Sequence, residues 1–180
     1  MGLENVKIGV CTIEFDGVDL GLTKGGVSVS YEPEYHGIEV DQYGTSKTDG
    51  VLIGDEIVAT VPLAEATHEN ILTALSTAGT EEIDGVDVDK KKVTVGQKPG
   101  ARQSTKAAKL VLHPIEKTVD DKSGDVTLHK ASPRNAVELN FEVDGERVIE
   151  VEFEGLIDET KDDGDLKASF GDDSADVSAG

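Results

Sequence analysis

The sequence predicts a mainly β protein that contains one α-helix and about eight to ten strands. Short segments in which apolar and polar residues alternate recur along the chain, which is the period of a half-buried strand. Valine is the most frequent apolar residue, and β-branched side chains favour strands. Helical spacing of apolar residues is found in one window, residues 67–78.

The composition limits the size and the content of the core. The 180 residues are enough for one domain, whereas two full domains would be crowded. Aromatic residues make up only 4% of the chain and tryptophan is absent, so the core must be built from Val, Ile, Leu and Ala. The single cysteine, Cys11, allows no intrachain disulfide and no thiolate metal cluster, and we expect it to be a small buried hydrophobe.

The net charge of the chain argues for some classes of function and against others. With 17 basic and 37 acidic residues the formal net charge is −20, which argues against ordinary nucleic-acid binding because phosphates are held by Lys and Arg. The same charge suits a surface past which nucleic acid slides without sticking, and equally suits solubility or growth in high salt. The N-terminal residues lack the features of a signal peptide, and no apolar run is long enough to span a membrane.

The first elements follow one another closely. A strand containing Ile13 and Phe15 leads into the turn signal Asp16-Gly17, and a short strand covers residues 18–22. Residues 27–31 alternate as a third strand, and residues 56–61 alternate as a fourth. Between these two strands we expect a long acidic loop or an extended hairpin tip, because this stretch is rich in Gly and polar residues.

The two central strands have one polar and one apolar face. The polar face carries Ser28, Ser30 and Glu32 on one strand and Glu56, Val58 and Thr60 on the other, and Val58 departs from the pattern. The opposite faces, Val27-Val29-Tyr31 and Ile57-Ala59-Val61, suit a core. The intervening loop holds apolar residues that call either for a partner surface or for packing on their own domain: Tyr35, Ile38, Val40 and Tyr43.

The helix is predicted near residues 67–78. Thr67 is a suitable N-cap, and Glu69 suits the positive end of the helix dipole. Ile71, Leu72 and Leu75 form one apolar stripe that should cover a sheet, and Gly79 suits the position after the last turn.

The later strands end in a predicted hairpin and a tail. Strands are expected at residues 86–88, 93–95, 110–112 and 126–128, and a hairpin pairs residues 137–141 with 149–153 through a loop of Asp144 to Glu146. That register gathers Glu138, Glu150 and Glu152 on one face. We therefore divide the chain into a domain over residues 1–157 and an acidic, flexible C-terminal tail over residues 158–180.

No motif for catalysis or cofactor binding is found. The four histidines lack the close spacing of metal ligands, and the sequence contains neither a nucleophile elbow nor a phosphate-binding loop. Two acidic groups offer oxygen ligands of the kind that calcium binds, but turn-forming acids are the favoured explanation. The groups are Asp84, Asp87 and Asp89, and Asp120, Asp121 and Asp125. We predict no catalytic, cofactor-binding or metal-binding residues and no enzymatic activity.

The central segment resembles the tail tube (major tail) proteins of long-tailed bacteriophages. The resemblance is carried by three stretches within about residues 18–80: Gly26 to Pro33, Glu39 to Gly44, and Val61 to Thr67 with Glu69-Asn70. It implies a β-sandwich or barrel flanked by a helix, whose inner sheet joins neighbouring subunits into stacked hexameric rings around a channel.

The resemblance also implies roles for particular residues. The channel wall would carry Ser28, Ser30, Glu32, Glu56 and Thr60. The long loop would reach a neighbouring subunit or ring through Tyr35, Ile38, Val40, Tyr43 and Gly44. The implied location is the virion tail, assembled in the host cytoplasm. The implied partners are further copies of the chain and the tape-measure, terminator and tip proteins, and DNA would pass through the channel without specific binding.

Other functions remain open at the level of the sequence. A tube protein of a contractile injection machine would share much of the fold. A cell-surface β-sandwich that binds calcium or carbohydrate belongs to a different class, and a hydrolase is the weakest alternative.

Overall fold

The computed structural model describes residues 9–75, 79–83, 90–134, 137–139 and 147–175. The prediction of a mainly β chain with one α-helix is confirmed, since 48% of the chain is strand and 12% is helical. In chain order the strands and the helix are β1 (Cys11–Phe15), β2 (Val18–Asp19), β3 (Ser28–Glu39), β4 (Lys47–Leu63), α1 (His68–Leu75), β5 (Gly79–Ile83), β6 (Lys91–Val95), β7 (Ala108–Pro114), β8 (Val126–Pro133), β9 (Ile149–Gly155) and β10 (Ala168–Phe170).

One antiparallel sheet contains most of these strands, in the order β2-β1-β7-β8-β9-β4-β3. β10 pairs with the first half of β8, and β9 pairs with its second half. β9 and β10 therefore lie in one row beside β8. β5 and β6 form a separate two-stranded sheet.

The two borders of the large sheet are joined by the chain that runs from β2 to β3. Thr23 forms a bridge with Leu63, and Lys24 N donates to the Pro62 carbonyl at 3.0 Å. Because this segment leaves β2 at one border and pairs with β4 near the other, the sheet curls around the core.

The core has the composition that the sequence predicts. Ile57, Ala59 and Val61 of β4 are buried, and β9 contributes alternate residues that end in Phe153, whose ring lies 5.0 Å from that of Phe15. The rest of the buried apolar set is Ile13, Leu20, Leu63, Ala74, Leu110, Leu112, Leu128, Ala131, Ile149 and Val151.

The helix begins where the sequence predicts. The hydroxyl of Thr67 accepts a hydrogen bond from Asn70 N at 3.1 Å, which makes Thr67 the N-cap. The predicted role of Gly79 is wrong, because this residue opens β5 with an ordinary backbone angle. A Cβ there would lie 2.8 Å from Leu75 Cβ, so glycine is required by the close approach of β5 to the helix.

The central loop is shorter than one reading of the sequence predicts. β3 and β4 continue as a hairpin from residue 28 to residue 63, and only residues 40–46 connect them. The extended-hairpin alternative is therefore confirmed. The hydrogen bonds between β3 and β4 satisfy the backbone groups that face each other, so a Gly-rich polar sequence forms strands here.

The prediction of a flexible tail from residue 158 is wrong for the described residues up to 175. β10 pairs with β8, and Gly171 N donates to the Asp125 carbonyl at 2.8 Å. Lys167 bonds both the side chain and the backbone carbonyl of Asp55. β9 pairs only with residues 131–133 of β8, so the edge of residues 126–128 would otherwise lack a partner, and β10 supplies one.

Two predictions lie partly or wholly outside the described residues. These are the strand at residues 86–88 and the 144–146 loop of the predicted C-terminal hairpin. Of that hairpin, β9 is described, and it pairs with β4 and β8. The predicted pairing of residues 137–141 with 149–153 is wrong at its open end, because residues 137–139 form no strand and Phe153 lies between Ala59 and Pro133. The predicted alternation of β9 is confirmed, since Ile149, Val151 and Phe153 are buried.

Candidate functional site

The outer part of the β3–β4 hairpin projects beyond the rest of the sheet, and we call residues 33–55 the hairpin arm. β9 accompanies β4 from Val58 to Leu63 and no further. Within the described part of the chain, no strand pairs with the second edge of β3 or with β4 from Lys47 to Ile57 on the side away from β3. The arm therefore presents open hydrogen-bonding edges on both sides.

The sequence explains the shape of the arm. Pro33 lacks an N–H and is tolerated because β3 is an edge strand. The ladder shifts register between Glu34 and Tyr35, which bends and twists the hairpin. Gly37 pairs with Gly50, and the Lys47 side chain lies across both glycines with its ammonium 6.0 Å from the centre of the Tyr35 ring.

Large apolar side chains are exposed along the arm. Tyr43, in the short 3-10 turn Asp41–Tyr43 at the tip, is 68% exposed, and Gly44 follows it with a positive φ of 62°. The predicted set Tyr35, Ile38, Val40 and Tyr43 is exposed as a group, and Val51, Leu52 and Ile53 are exposed with it. A continuous series of this kind marks an interaction surface more often than isolated exposed residues do.

A polar sheet face begins at the base of the arm. Ser28 pairs with Thr60, Ser30 with Val58, and Glu32 with Glu56, so the predicted polar residues do share one face. β9 extends this face with Glu150, Glu152 and Glu154, which pair with Pro62, Thr60 and Val58. We call these residues of β3, β4 and β9 the acidic face. The structure thus brings the five predicted wall residues together and adds Glu154, which the sequence analysis did not single out.

Arg134 places a positive charge on the acidic face. Its guanidinium bonds Glu56 and lies 3.4 Å from Glu152 and 3.9 Å from Glu154. The hydrogen bond to Glu56 raises the pKa of Arg134. The sequence contains no signal for this residue, because Arg134 is far along the chain from Glu56 and reaches it only through the β8–β9–β4 order.

The predicted core face of β3 is only partly buried. Val29 packs against the core, but Tyr31 is 50% exposed because β9 ends at the level of Ile57. Burial and a hydrogen bond to Asp55 raise the pKa of Tyr31, and the Lys167 ammonium lowers the pKa of Asp55. These three residues join the base of the arm to the segment that follows β9.

A cluster of potential metal ligands lies beneath β8. His129 Nε2 is 2.9 Å from Asp165 Oδ1, and His129 Nδ1 is 3.6 Å from Asp173 Oδ1. Lys109 Nζ and Lys161 Nζ lie 2.7 and 3.2 Å from Asp173, so ammonium groups already hold the positions that a cation would need. The arrangement is that of an ion-pair network, and the Lys109 hydrogen bond lowers the pKa of Asp173.

The comparisons of the sequence with protein families and with curated proteins give no match. No protein-family profile matches the chain, and no curated protein is similar to it in sequence. Among the described residues, no helix combines the length and the apolar character needed to cross a membrane.

Proposed function

We propose that this chain is the subunit of a bacteriophage tail tube, a structural protein without catalytic activity. Copies of the subunit stack in rings, hexameric by the resemblance, and line a channel through which the genome passes. The proposal rests on the hairpin arm, whose open edges and exposed apolar side chains need a partner that the described part of a single chain does not provide.

The physics of strand edges favours further copies of the same chain as that partner. Pairing the edges of neighbouring subunits would satisfy the open backbone groups of β3 and bury Tyr35, Ile38 and Val40. A head-to-tail contact that closes by rotation gives a ring, and repetition of the ring gives a tube.

The acidic face supports the role of the channel wall. Ser28, Ser30 and Glu32 on β3 continue across β4 into the glutamates of β9. Such a surface repels phosphates, so DNA would move past it without binding.

Negative-stain microscopy of the purified protein at several salt and protein concentrations tests the proposal. We expect hollow filaments or rings. A matched variant replaces residues 34–54 by Asn-Gly, which closes the hairpin between Pro33 and Asp55 and should remain folded but monomeric. A wild-type chain that stays monomeric under every condition would refute the proposal.

A further inference from the structure

The two ends of the molecule differ in charge. The hairpin arm carries Glu34, Glu39, Asp41, Asp49 and Asp55, against the single ammonium of Lys47. At the opposite end, where β7 begins and β8 finishes, the exposed 3-10 turn Gln103–Lys106 is flanked by Arg102, and we call residues 102–106 the basic turn. The sequence holds no Asp or Glu between Asp89 and Glu116.

A pocket lies beside the basic turn. Its volume is about 280 Å³, and it lies between α1 and the start of β7. Leu72 of α1, Phe15 and Pro133 provide apolar walls, and Thr105 and Lys106 form one rim. An aromatic side chain flanked by a carboxylate is complementary to such a pocket, and the tip of the arm offers this combination in Tyr43 and Asp41.

Two carboxylates lie in or near the pocket. Asp16 lines the pocket, and Glu154 accepts a hydrogen bond from Gln103 at 3.2 Å and lies 3.9 Å from Arg134. Among the described residues, no carboxylate forms an ion pair with Arg102 or Lys106, so both can meet an external acid.

A second pocket, which shares Phe15, Asp16, Leu72 and Thr73 with the first, is unsuitable for an acidic arm. It is larger, about 490 Å³, but Asp16, Asp19, Glu65 and Glu69 line it. Charge therefore selects the smaller pocket, since like charges brought together at an interface oppose docking.

The arm of a chain cannot reach its own pocket. β4 is one continuous strand that runs from the arm to the end where α1 begins. Ala59 of β4 pairs with Phe153, and Phe153 pairs with Pro133 at the end of β8, so Ala59 marks the level of the pocket along β4. At about 3.3 Å per residue, the distance along the strand from the arm tip to Ala59 is on the order of 40 Å. An arm tip that enters this pocket would therefore belong to a second copy.

We propose that the arm tip of one copy docks head-to-tail in the pocket beside the basic turn of the next, with Tyr43 in the pocket and Asp41 facing Arg102 and Lys106. The inference rests on the proposed self-assembly and names the surface that receives the arm. The contact is heterologous, since the tip and the pocket are different surfaces, and it can therefore propagate from copy to copy.

A charge exchange tests this contact. We expect Asp41→Lys and Lys106→Glu each to weaken self-association by at least about tenfold, measured by sedimentation velocity, because each places like charges at the contact. The double variant in one chain should recover most of the loss, and so should an equimolar mixture of the two single variants. Lys122→Glu makes the same charge change on an exposed turn at the other end of β8 and should leave association unchanged.

A second measurement does not depend on charge. Chains carrying Tyr43→Cys and chains carrying Thr105→Cys are mixed under oxidising conditions, with Cys11 retained in both. A disulfide between the two different chains is expected, and neither chain alone should form it. Circular dichroism of each variant verifies that it is folded.

The outcomes separate the docking from the tube. Hollow filaments whose formation is unaffected by Lys106→Glu, or the absence of the mixed disulfide, overturn the docking and leave the tube standing. Charge-exchange rescue of oligomers that never form a hollow filament supports the docking and overturns the tube. A wild-type chain that is monomeric throughout overturns both.

Discussion

At Gly155, β9 leaves no space for a side chain. A Cβ at this residue would collide with Ile57 Cγ2, although the backbone angles themselves are ordinary. We expect Gly155→Ala to lower the free energy of unfolding by about 1–3 kcal/mol, because the core cannot expand without strain.

The control for this prediction is a double-mutant cycle. In an Ile57→Ala background the colliding methyl group is gone, so adding Gly155→Ala should cost much less than it costs in the wild type. Urea unfolding of the four proteins measures the coupling, and equal costs in both backgrounds would contradict the steric explanation.

The ionisation of Asp173 should make the stability of the fold depend on pH. Hydrogen bonds from Lys109 and then Lys161 lower the pKa of this carboxyl in the folded protein below its ordinary value of 3.8. A group with a lowered folded pKa stabilises the protein above its unfolded pKa, and that contribution is lost as the pH falls from about 4 towards the folded pKa.

We therefore expect Asp173→Asn to be less stable than the wild type by about 1–2 kcal/mol at pH 7. The difference should shrink as the pH is lowered through 4, because the Asp173 carboxyl of the unfolded wild-type chain then takes up a proton while that of the folded chain is still ionised. Urea unfolding at a series of pH values measures it, with Asp163→Asn, an exposed position, as the control. A difference that does not change with pH would assign the effect to packing instead.

At the scale of the element, α1 depends on a local signal. Thr67 caps the helix through Asn70 N, and Asn70 in turn donates its side-chain amide to the carbonyls of Leu20 and Glu65 at 3.0 and 2.8 Å. Thr67→Ala should cost about 1 kcal/mol, whereas Thr67→Ser keeps the hydroxyl and should cost little. Thermal unfolding of both variants compares them, and an equal loss would show that the methyl group, not the cap, matters.

The central hairpin shows how far an element can be predicted. The polar and apolar faces of β3 and β4 follow from the alternation of Ser28 to Tyr31 and of Glu56 to Val61, and the structure pairs these residues as the faces require. Beyond Pro33 the alternation fails because both sides of the arm face outward, so no buried side remains to mark a strand. The strands there are fixed by their mutual hydrogen bonds.

At the scale of the whole molecule, the net charge of −20 opposes compactness. We expect the melting temperature to rise as sodium chloride is raised from about 0.01 M to about 0.3 M, because the Debye length falls and self-repulsion is screened. Differential scanning calorimetry at constant protein concentration measures the shift, with the arm-shortened variant as a monomeric control. A decrease with salt in that control would mean that ion pairs such as Lys167–Asp55 outweigh the repulsion.

The sequence by itself determined the strand-rich composition of the fold, the position of α1 and the two faces of the central strands, because capping and alternation are local properties of neighbouring residues. It could not determine that residues 158–175 pack along β8, since His129, Asp55 and Asp125 are their partners and lie far away in the chain. Nor could it place Arg134 among the glutamates of the acidic face, or the basic turn at the end opposite the arm. Those arrangements follow from the order of the strands in the sheet, and only the tertiary structure decided that order.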